Sequence, residues 1–443
     1  MPYAPYNGVG PVPGGSGAGF CPHGESQFVA WHRPYVALYE QILGAQVQRI
    51  AASYNSSQNS SAYREAGEIF RLPYWDWAAN PQLPPSCTQE NITINGPRGP
   101  LTLRSPLYNY RFSGSRKGWP TETTRASDGK SNSNPDVVNA NLAAVADQLK
   151  YQVYRTFTYA ETYDQMSSTA NLAGVSLEAS HNIVHNAVGG TFASLDLTAF
   201  DALFMLHHAN LDRLAALWAA LHPGAACQSE WYASPGLYST ARGENITASS
   251  PTKPFYQADK RSFHTGITAA SLKPFGYTYP ELNDIGRIIP RINELYGDTG
   301  LLSGCGKGGG EKRDWFVQIT VNRSDLDLPC NIDVVSGDMF AGRMALLNMP
   351  KEGLAHATIP LQKVVATLGS NTTGIEATLR EWIRVEVREV NGSTIDISNI
   401  TNLNVYLVAI DVTPRRNESE FPKYRSRSMY TKTVLDRGRS DNG

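Results

Sequence analysis

Cysteine is scarce in this sequence. Five residues in 443 (Cys21, Cys87, Cys227, Cys305 and Cys330) are odd in number and widely spaced. That excludes a disulfide framework, and the lack of any CxxC pair removes the usual zinc spacing. At least one thiol is free or otherwise modified. Charge is nearly balanced, at −1 with 18% charged residues, which argues against nucleic acid or an anionic membrane surface as the main partner. No apolar run approaches the roughly 18 residues needed to cross a bilayer, so the chain reads as soluble, with no membrane partner. The opening MPYAPYNGVGPVPGGSGAG has neither a charged n-region nor an apolar h-region, so no signal peptide is visible.

What is present is ample apolar material, 41% of residues with 10% aromatic. That is enough for sizeable cores in two domains. Asn-X-Ser/Thr acceptors recur at Asn55, Asn59, Asn91, Asn245, Asn322, Asn371, Asn391, Asn399 and Asn417. This density leans towards a glycoprotein of the secretory pathway.

The pattern Phe28, Trp31, Val36, Leu38, Tyr39, Ile42, Leu43, Val47, Ile50 predicts a helix from about Ser26 to Ser53, with Pro34 as a kink. Residues 80–135 are rich in Pro, Asn, Gly and Ser and read as an irregular excursion. Further helices are predicted at about 136–165, 177–187, 198–221 and 281–296. The stretch LLSGCGKGGGEKRDW then breaks the pattern and reads as an exposed linker. After it come β-type runs at Trp315–Val321, Asn331–Val335, Trp382–Val390 and Val405–Val412, with an irregular polar tail beyond Pro414. The expected fold is mainly α: a helix-bundle domain over 1–302, a linker at 303–314, and a smaller β-rich, sandwich-like domain over 315–443.

Six of the nine histidines fall in three short segments on or beside predicted helices. FCPHGESQFVAWHRP carries His23 and His32. LEASHNIVHNAVGG places His181 and His185 one helical turn apart on one face. FDALFMLHHANLDRLAALW carries His207 and His208, whose side chains point about 100° apart on a helix, so at most one is expected to face a common site. Taken singly, each histidine reads as a structural side chain. Taken together, with no carboxylate at ligand spacing, they point to an all-imidazole metal site in a helix bundle, and imidazole suits copper, zinc, iron and nickel.

The matching pieces FCPHGESQFVAWHRPYVALYEQ, RLPYWDW, HNIVHNAVGG, FDALFMLHHANLDRL and FGYTYPEL resemble the fungal tyrosinases, of the dinuclear (type 3) copper family, in a long form with a C-terminal domain. The resemblance implies a copper-dependent oxidoreductase that binds two copper ions. It implies oxidation of monophenols and o-diphenols by dioxygen to o-quinones, the route to melanin-type pigment. By resemblance, His23 and His32 are ligands of copper A, and His181, His185 and His208 are ligands of copper B. His207 matches a neighbouring histidine outside the ligand set. Cys21 matches a cysteine joined by a thioether bond to the imidazole of His23. Glu178 and Asn182, at i and i+4 beside His181, match a pair that holds a water able to take the phenol proton. Asn186 matches a position that tunes substrate preference. Asp201 is expected to orient ligands or buttress an arginine, or else to cap the next helix. The C-terminal domain is expected to cover the pocket and hold the enzyme latent.

The same resemblance calls for a sixth histidine upstream of the Gly-rich loop. Either the sequence starts at an internal methionine of a longer, secreted protein, or copper A lacks a ligand; the acceptor asparagines favour the first. As written, the chain is then expected to bind copper B better than copper A and to show little or no oxidase activity. A catechol oxidase, a haemocyanin-like oxygen carrier and a copper-deficient remnant are the alternatives, and the oligomeric state stays open.

Overall fold

A computed structural model describes residues 9–16, 19–54, 59–114, 117–297, 312–368, 374–390, 392–397 and 400–430. The expected linker at 303–314 therefore lies outside the described residues up to position 311.

The helical part contains α1 (Phe28–Ala52), α2 (Ser60–Glu68), α3 (Pro135–Tyr159), α4 (Tyr163–Ser167), α5 (Leu177–Val188), α6 (Ala202–Leu221), α7 (Gly266–Ala269) and α8 (Ile288–Tyr296). Their starts follow from local chemistry. Asn134 accepts from the Asp136 N–H with Pro135 at the first helical position, Ser176 caps α5 through the Ala179 N–H, and Asp201 caps α6 through the Leu203 N–H. These are the side chains that satisfy donors the first turn leaves free. α1 runs as one helix through Pro34. α5 ends at Gly189 and Gly190, both at positive φ, and a Cβ on Gly190 would lie 2.6 Å from the Thr124 carbonyl oxygen. The doubled glycine of HNAVGG is thus required by a turn that L side chains disfavour.

Two expectations are corrected in the helical half. The excursion at 80–135 contains an antiparallel hairpin, Asn91–Gly96 with Gly99–Arg104. Its Ile, Thr and Leu alternation is short and is masked by the surrounding turn residues. The helix expected at 281–296 starts only at Ile288, after two short 3₁₀ turns.

The C-terminal part is two four-stranded antiparallel sheets. In spatial order the first is Leu354–Pro360, Lys312–Asn322, Asn404–Thr413, Lys423–Tyr430; the second is Thr394–Ile395, Ile383–Glu389, Cys330–Ser336, Met339–Leu346. Trp315, Val317, Ile319 and Val321 point into a core shared with the second sheet. Phe316, Val408, Ile410 and Val412 point the other way, into the helical core. Alternate residues of a strand face opposite sides, so the central strands are apolar on both faces because both are covered. The strand starts at Lys312, so Lys312, Arg313 and Asp314 are strand residues, not linker. The tail beyond Pro414, expected to be irregular, supplies the edge strand Lys423–Tyr430.

The two parts are tied by polar contacts as well. Gln148 on α3 donates to the Arg343 carbonyl (2.7 Å) and accepts from its N–H (2.8 Å). Tyr151 donates to Asp314 at 2.7 Å. Arg155, fully buried, lies 4.4 and 4.3 Å from the Tyr159 and Tyr424 ring centroids, the range of a cation–π contact.

Candidate metal centre

Three pieces of chain deliver six imidazoles to the middle of the helical part. α1 carries His32, and the loop before it carries His23. α5 carries His181 and His185, and α6 carries His207 and His208. All six are at most 3% exposed.

Neighbours fix which nitrogen three of the rings present. His32 Nδ1 lies 2.6 Å from the Phe28 carbonyl, one turn back on α1, and His185 Nδ1 lies 2.6 Å from the Phe192 carbonyl in the turn after the two glycines. A carbonyl only accepts, so Nδ1 carries the proton and Nε2 keeps its lone pair. His181 Nδ1 is 2.8 Å from Asn182 Oδ1, which fixes that ring likewise. Their Nε2 atoms converge: His181 to His185 is 3.0 Å and His181 to His208 is 3.1 Å. Donors about 2.0–2.1 Å from one ion lie only slightly further apart than this.

Burial sets the charge state. It lowers His32 to about 3 and His185 to about 4, and it holds His23, His181, His207 and His208 well below the ordinary histidine value, with neighbouring imidazoles adding to the effect. The rings are neutral at pH 7, as metal binding requires. Uncompensated buried polar atoms are expensive, yet His23 Nδ1, His208 Nδ1 and both nitrogens of His207 have no hydrogen-bond partner. The donors fall into two compact sets, His181, His185, His207 and His208 in one and Cys21, His23 and His32 in the other. Neutral imidazoles in two adjoining groups are the donor chemistry that two copper ions require.

Both adjacent histidines of α6 reach the first set, a difference from the sequence expectation. His208 stacks on His32 (4.4 Å between centroids, 18°), between the sets, whereas His207 lies over His181 (4.9 Å, 23°) and beside Trp77 (5.8 Å). Phe28, which periodicity marked only as an apolar helix position, sits among the imidazoles, 5.4 Å from His23, 4.7 Å from His32 and 4.9 Å from His181. Its place one turn before His32 was the available signal.

Cys21 Sγ lies 2.9 Å from His32 Nε2 and 3.8 Å from His23 Nε2. Glu178 and Asn182 share a face of α5 but look at different partners. The Glu178 carboxylate accepts from Gly24 N (2.5 Å), Thr169 N (2.8 Å), Thr169 Oγ1 (3.0 Å) and Ser168 Oγ (3.3 Å). Burial raises its pKa above the carboxylate norm, opposed by Arg323 and these donors. Asn186 faces the β-rich part, where it donates to Asn331 Oδ1 (2.9 Å) and to the Cys330 carbonyl (3.2 Å).

Buried ion pairs outside the donor sets explain the remaining motifs. Asp201 caps α6 and takes Arg125 in a two-pronged pair at 2.9 and 2.8 Å, and it makes no hydrogen bond to an imidazole among those described. Asp212, one turn after His208, accepts from Arg33 (2.6 Å), Tyr277 (2.6 Å) and Tyr279 (2.7 Å). Arg213 joins Glu281 and Asp76, so RLPYWDW and FGYTYPEL meet at α6. Asp212→Ala would strand the Arg33 charge, itself 4% exposed, next to His32. A loss of about 3–5 kcal/mol is expected, read from the denaturation midpoint of the metal-free protein.

A family model described as the common central domain of tyrosinase matches residues 1–221. The chain belongs to the tyrosinase family. It is 32% identical over 319 residues to a tyrosinase of Neurospora crassa, covering 63% of this chain and 45% of the relative. It is 31% identical over 321 residues to a tyrosinase of Podospora anserina, with 64% and 54% covered. The chain spans about half the length of these curated relatives. A solved structure of recombinant mushroom tyrosinase shares the fold across both parts, with a TM-score of 0.83 at 20% identity, covering 97% of this chain and 90% of that one.

Proposed function

We propose that this tyrosinase-family chain is a copper-dependent oxidoreductase that oxidises monophenols and o-diphenols to o-quinones with dioxygen, feeding melanin-type pigment. The observation that carries the reading is the convergence of six buried, neutral imidazoles from three segments. His181, His185 and His208 would hold copper B, and His23 and His32 copper A. The copper pair, when bound, supplies the electron exchange with dioxygen.

The chain's own residues do the rest. Carbonyl and amide partners at Nδ1 keep three of the rings aimed inwards, the outer-shell support on which metal affinity depends. Asn182 and Glu178 hold a water that takes the proton of a monophenol, whose pKa of ~10 leaves it protonated at neutral pH. Cys21 joins His23 through a thioether and fixes that ring. One observation favours a second reading, diphenol oxidation alone: four donors already occupy Glu178, about as many as a carboxylate accepts.

The β-rich part acts as a cover. It binds Asn186, the residue after His185, and it places Arg323 and Pro350 against Gly24, the residue after His23. Of the expected trypsin sites Lys307, Lys312 and Arg313, the last two lie in the strand and Lys307 lies outside the described residues; cleavage is proposed before Lys312. Exposed acceptors at Asn59, Asn91, Asn245 and Asn417 support a secreted glycoprotein, and no helix among the described residues is long and apolar enough to cross a membrane.

The test is dioxygen uptake by protein loaded with excess copper, given an o-diphenol or a monophenol, before and after brief trypsin treatment. Diphenol oxidation should rise sharply as fragment 308–443 is released, and monophenol oxidation should follow after a lag. Reversible dioxygen binding without net consumption would make the chain a carrier. Activity lost together with the helical signal would make the β-rich part a structural component.

A further inference from the structure

A cavity of about 490 Å³ adjoins the set formed by Cys21, His23 and His32. The volume is that of a small-ligand site. His23 and Cys21 form part of the wall, and Trp31, Trp119, Phe200 and Phe204 line much of the rest. Aromatic walls suit a flat ring. The charge in this wall is lopsided. Burial lowers the His23 pKa and raises that of Cys21, so both are neutral at pH 7. Among the described residues that line the cavity, Asp196 is the one acidic side chain, and no lysine or arginine accompanies it.

Asp196 lies between two 3₁₀ turns, Gly190–Ala193 and Thr198–Phe200, and is exposed. Its carboxylate therefore stands at the rim of the cavity, not on its floor. Asn348 of the β-rich part reaches the same rim: it accepts from the Leu195 N–H at 3.2 Å and donates to Asp196 Oδ2 at 3.4 Å. The second contact is long and leaves the carboxylate with acceptor sites to spare. An adjoining groove that shares Asp196 holds two cations, Arg242, which is taken by Glu352 at 2.9 Å, and Lys351 of the β-rich part.

We propose that this cavity selects phenols and catechols bearing a protonated amine on a short arm over those bearing a carboxylate. The ring lies between the aromatic walls and the ammonium meets Asp196 at the rim. The proposal rests on the phenol-oxidase reading and names its substrate class. One carboxylate attracts the first kind of arm and repels the second, so the selectivity is the sum of a gain and a penalty.

The binding test needs neither copper nor turnover. Phenethylamine and 3-phenylpropionate, rings without a hydroxyl and with arms of opposite charge, are titrated into the metal-free chain by saturation-transfer NMR. Phenethylamine should bind about tenfold more tightly at low salt, and the ratio should shrink as salt is raised. Asp196→Asn should bring the ratio close to one, Asp196→Lys should invert it, and Asp196→Glu should preserve it. The turnover test compares 4-(2-aminoethyl)catechol with 3-(3,4-dihydroxyphenyl)propionate on copper-loaded, trypsin-treated protein. The amine should have the higher kcat/KM, with the difference carried by KM and responding to the same variants. Equal binding of the two probes, no binding of either, or a preference untouched by Asp196→Asn overturns the proposal; oxidation of both catechols would then leave the phenol-oxidase reading standing. An amine preference that follows Asp196 in binding, with neither catechol oxidised, supports the selectivity of the cavity and sinks the oxidase reading.

Discussion

His208→Ala should leave the copper-loaded protein with less than about a hundredth of its diphenol oxidase activity, and with the four-imidazole set unable to retain copper through dialysis. His207→Ala should lower copper affinity by about 10–100-fold, the cost of an outer-shell partner. The two residues are adjacent, equally buried and in the same donor set, so nothing simpler than this pair separates them. The direction follows from position. His208 Nε2 is 3.1 Å from His181 Nε2, and its ring stacks on His32 of the other set. It is the imidazole of α6 that lies between the two groups. His207 stands on the far side of His181, against Trp77 and Phe192. The opposing consideration is that both His207 nitrogens are buried without a partner, an arrangement that costs about 1–3 kcal/mol unless something binds them. Copper counts on the two variants decide the matter. Equal copper loss in both would make His207 a fourth ligand, and copper retained in His208→Ala but lost in His207→Ala would reverse the assignment.

That ambiguity shows where sequence reading stops. HxxxH on a helix is self-announcing, because i and i+4 side chains stack whatever the rest of the fold does. Adjacent histidines are not: the expectation that only one could face the site assumes a single metal direction, whereas α6 is buried along most of its length and meets donors on more than one side. The long helices were legible for the same reason that HxxxH was, since a repeat sustained over several turns outweighs local exceptions such as Pro34. The strands Met339–Leu346 and Lys423–Tyr430 were missed because Gly342 and Arg343 interrupt the first and basic residues dominate the second. The ion pairs that join distant motifs, Arg33 with Asp212 and Arg125 with Asp201, are contacts between segments far apart in the chain and leave no periodicity to read. Glu178 and Asn182 were found by their spacing on α5, but spacing could not reveal that the carboxylate would be enclosed by Gly24, Ser168 and Thr169.

Glu178→Gln should cut monophenol turnover by about 100-fold or more, within the range of a lost general base, while diphenol turnover after trypsin treatment changes by no more than about threefold. The asymmetry comes from the substrates. A monophenol must shed its proton to bind copper, whereas a diphenol is more easily deprotonated and chelates. A carboxylate serves the proton only when ionised, so monophenol turnover should rise with pH through the Glu178 pKa. Burial pushes that pKa above the ordinary carboxylate value, so the acid limb should lie above pH 4.5 and should vanish in the Glu178→Gln variant. Arg323 opposes the shift. It donates to Thr169 Oγ1 at 2.9 Å, and that hydroxyl lies 3.0 Å from Glu178. Because Arg323 comes from the β-rich part, its release would remove a positive neighbour, which raises the Glu178 pKa, and would also reduce burial, which lowers it. The side-chain amide introduced by Glu178→Gln would also turn a donor towards Gly24 N or Thr169 N, and a purely structural disturbance of that loop would depress both substrates alike. Equal losses on monophenol and diphenol, with the acid limb unmoved, would therefore assign Glu178 to holding the Gly24 loop beside His23 and not to proton transfer.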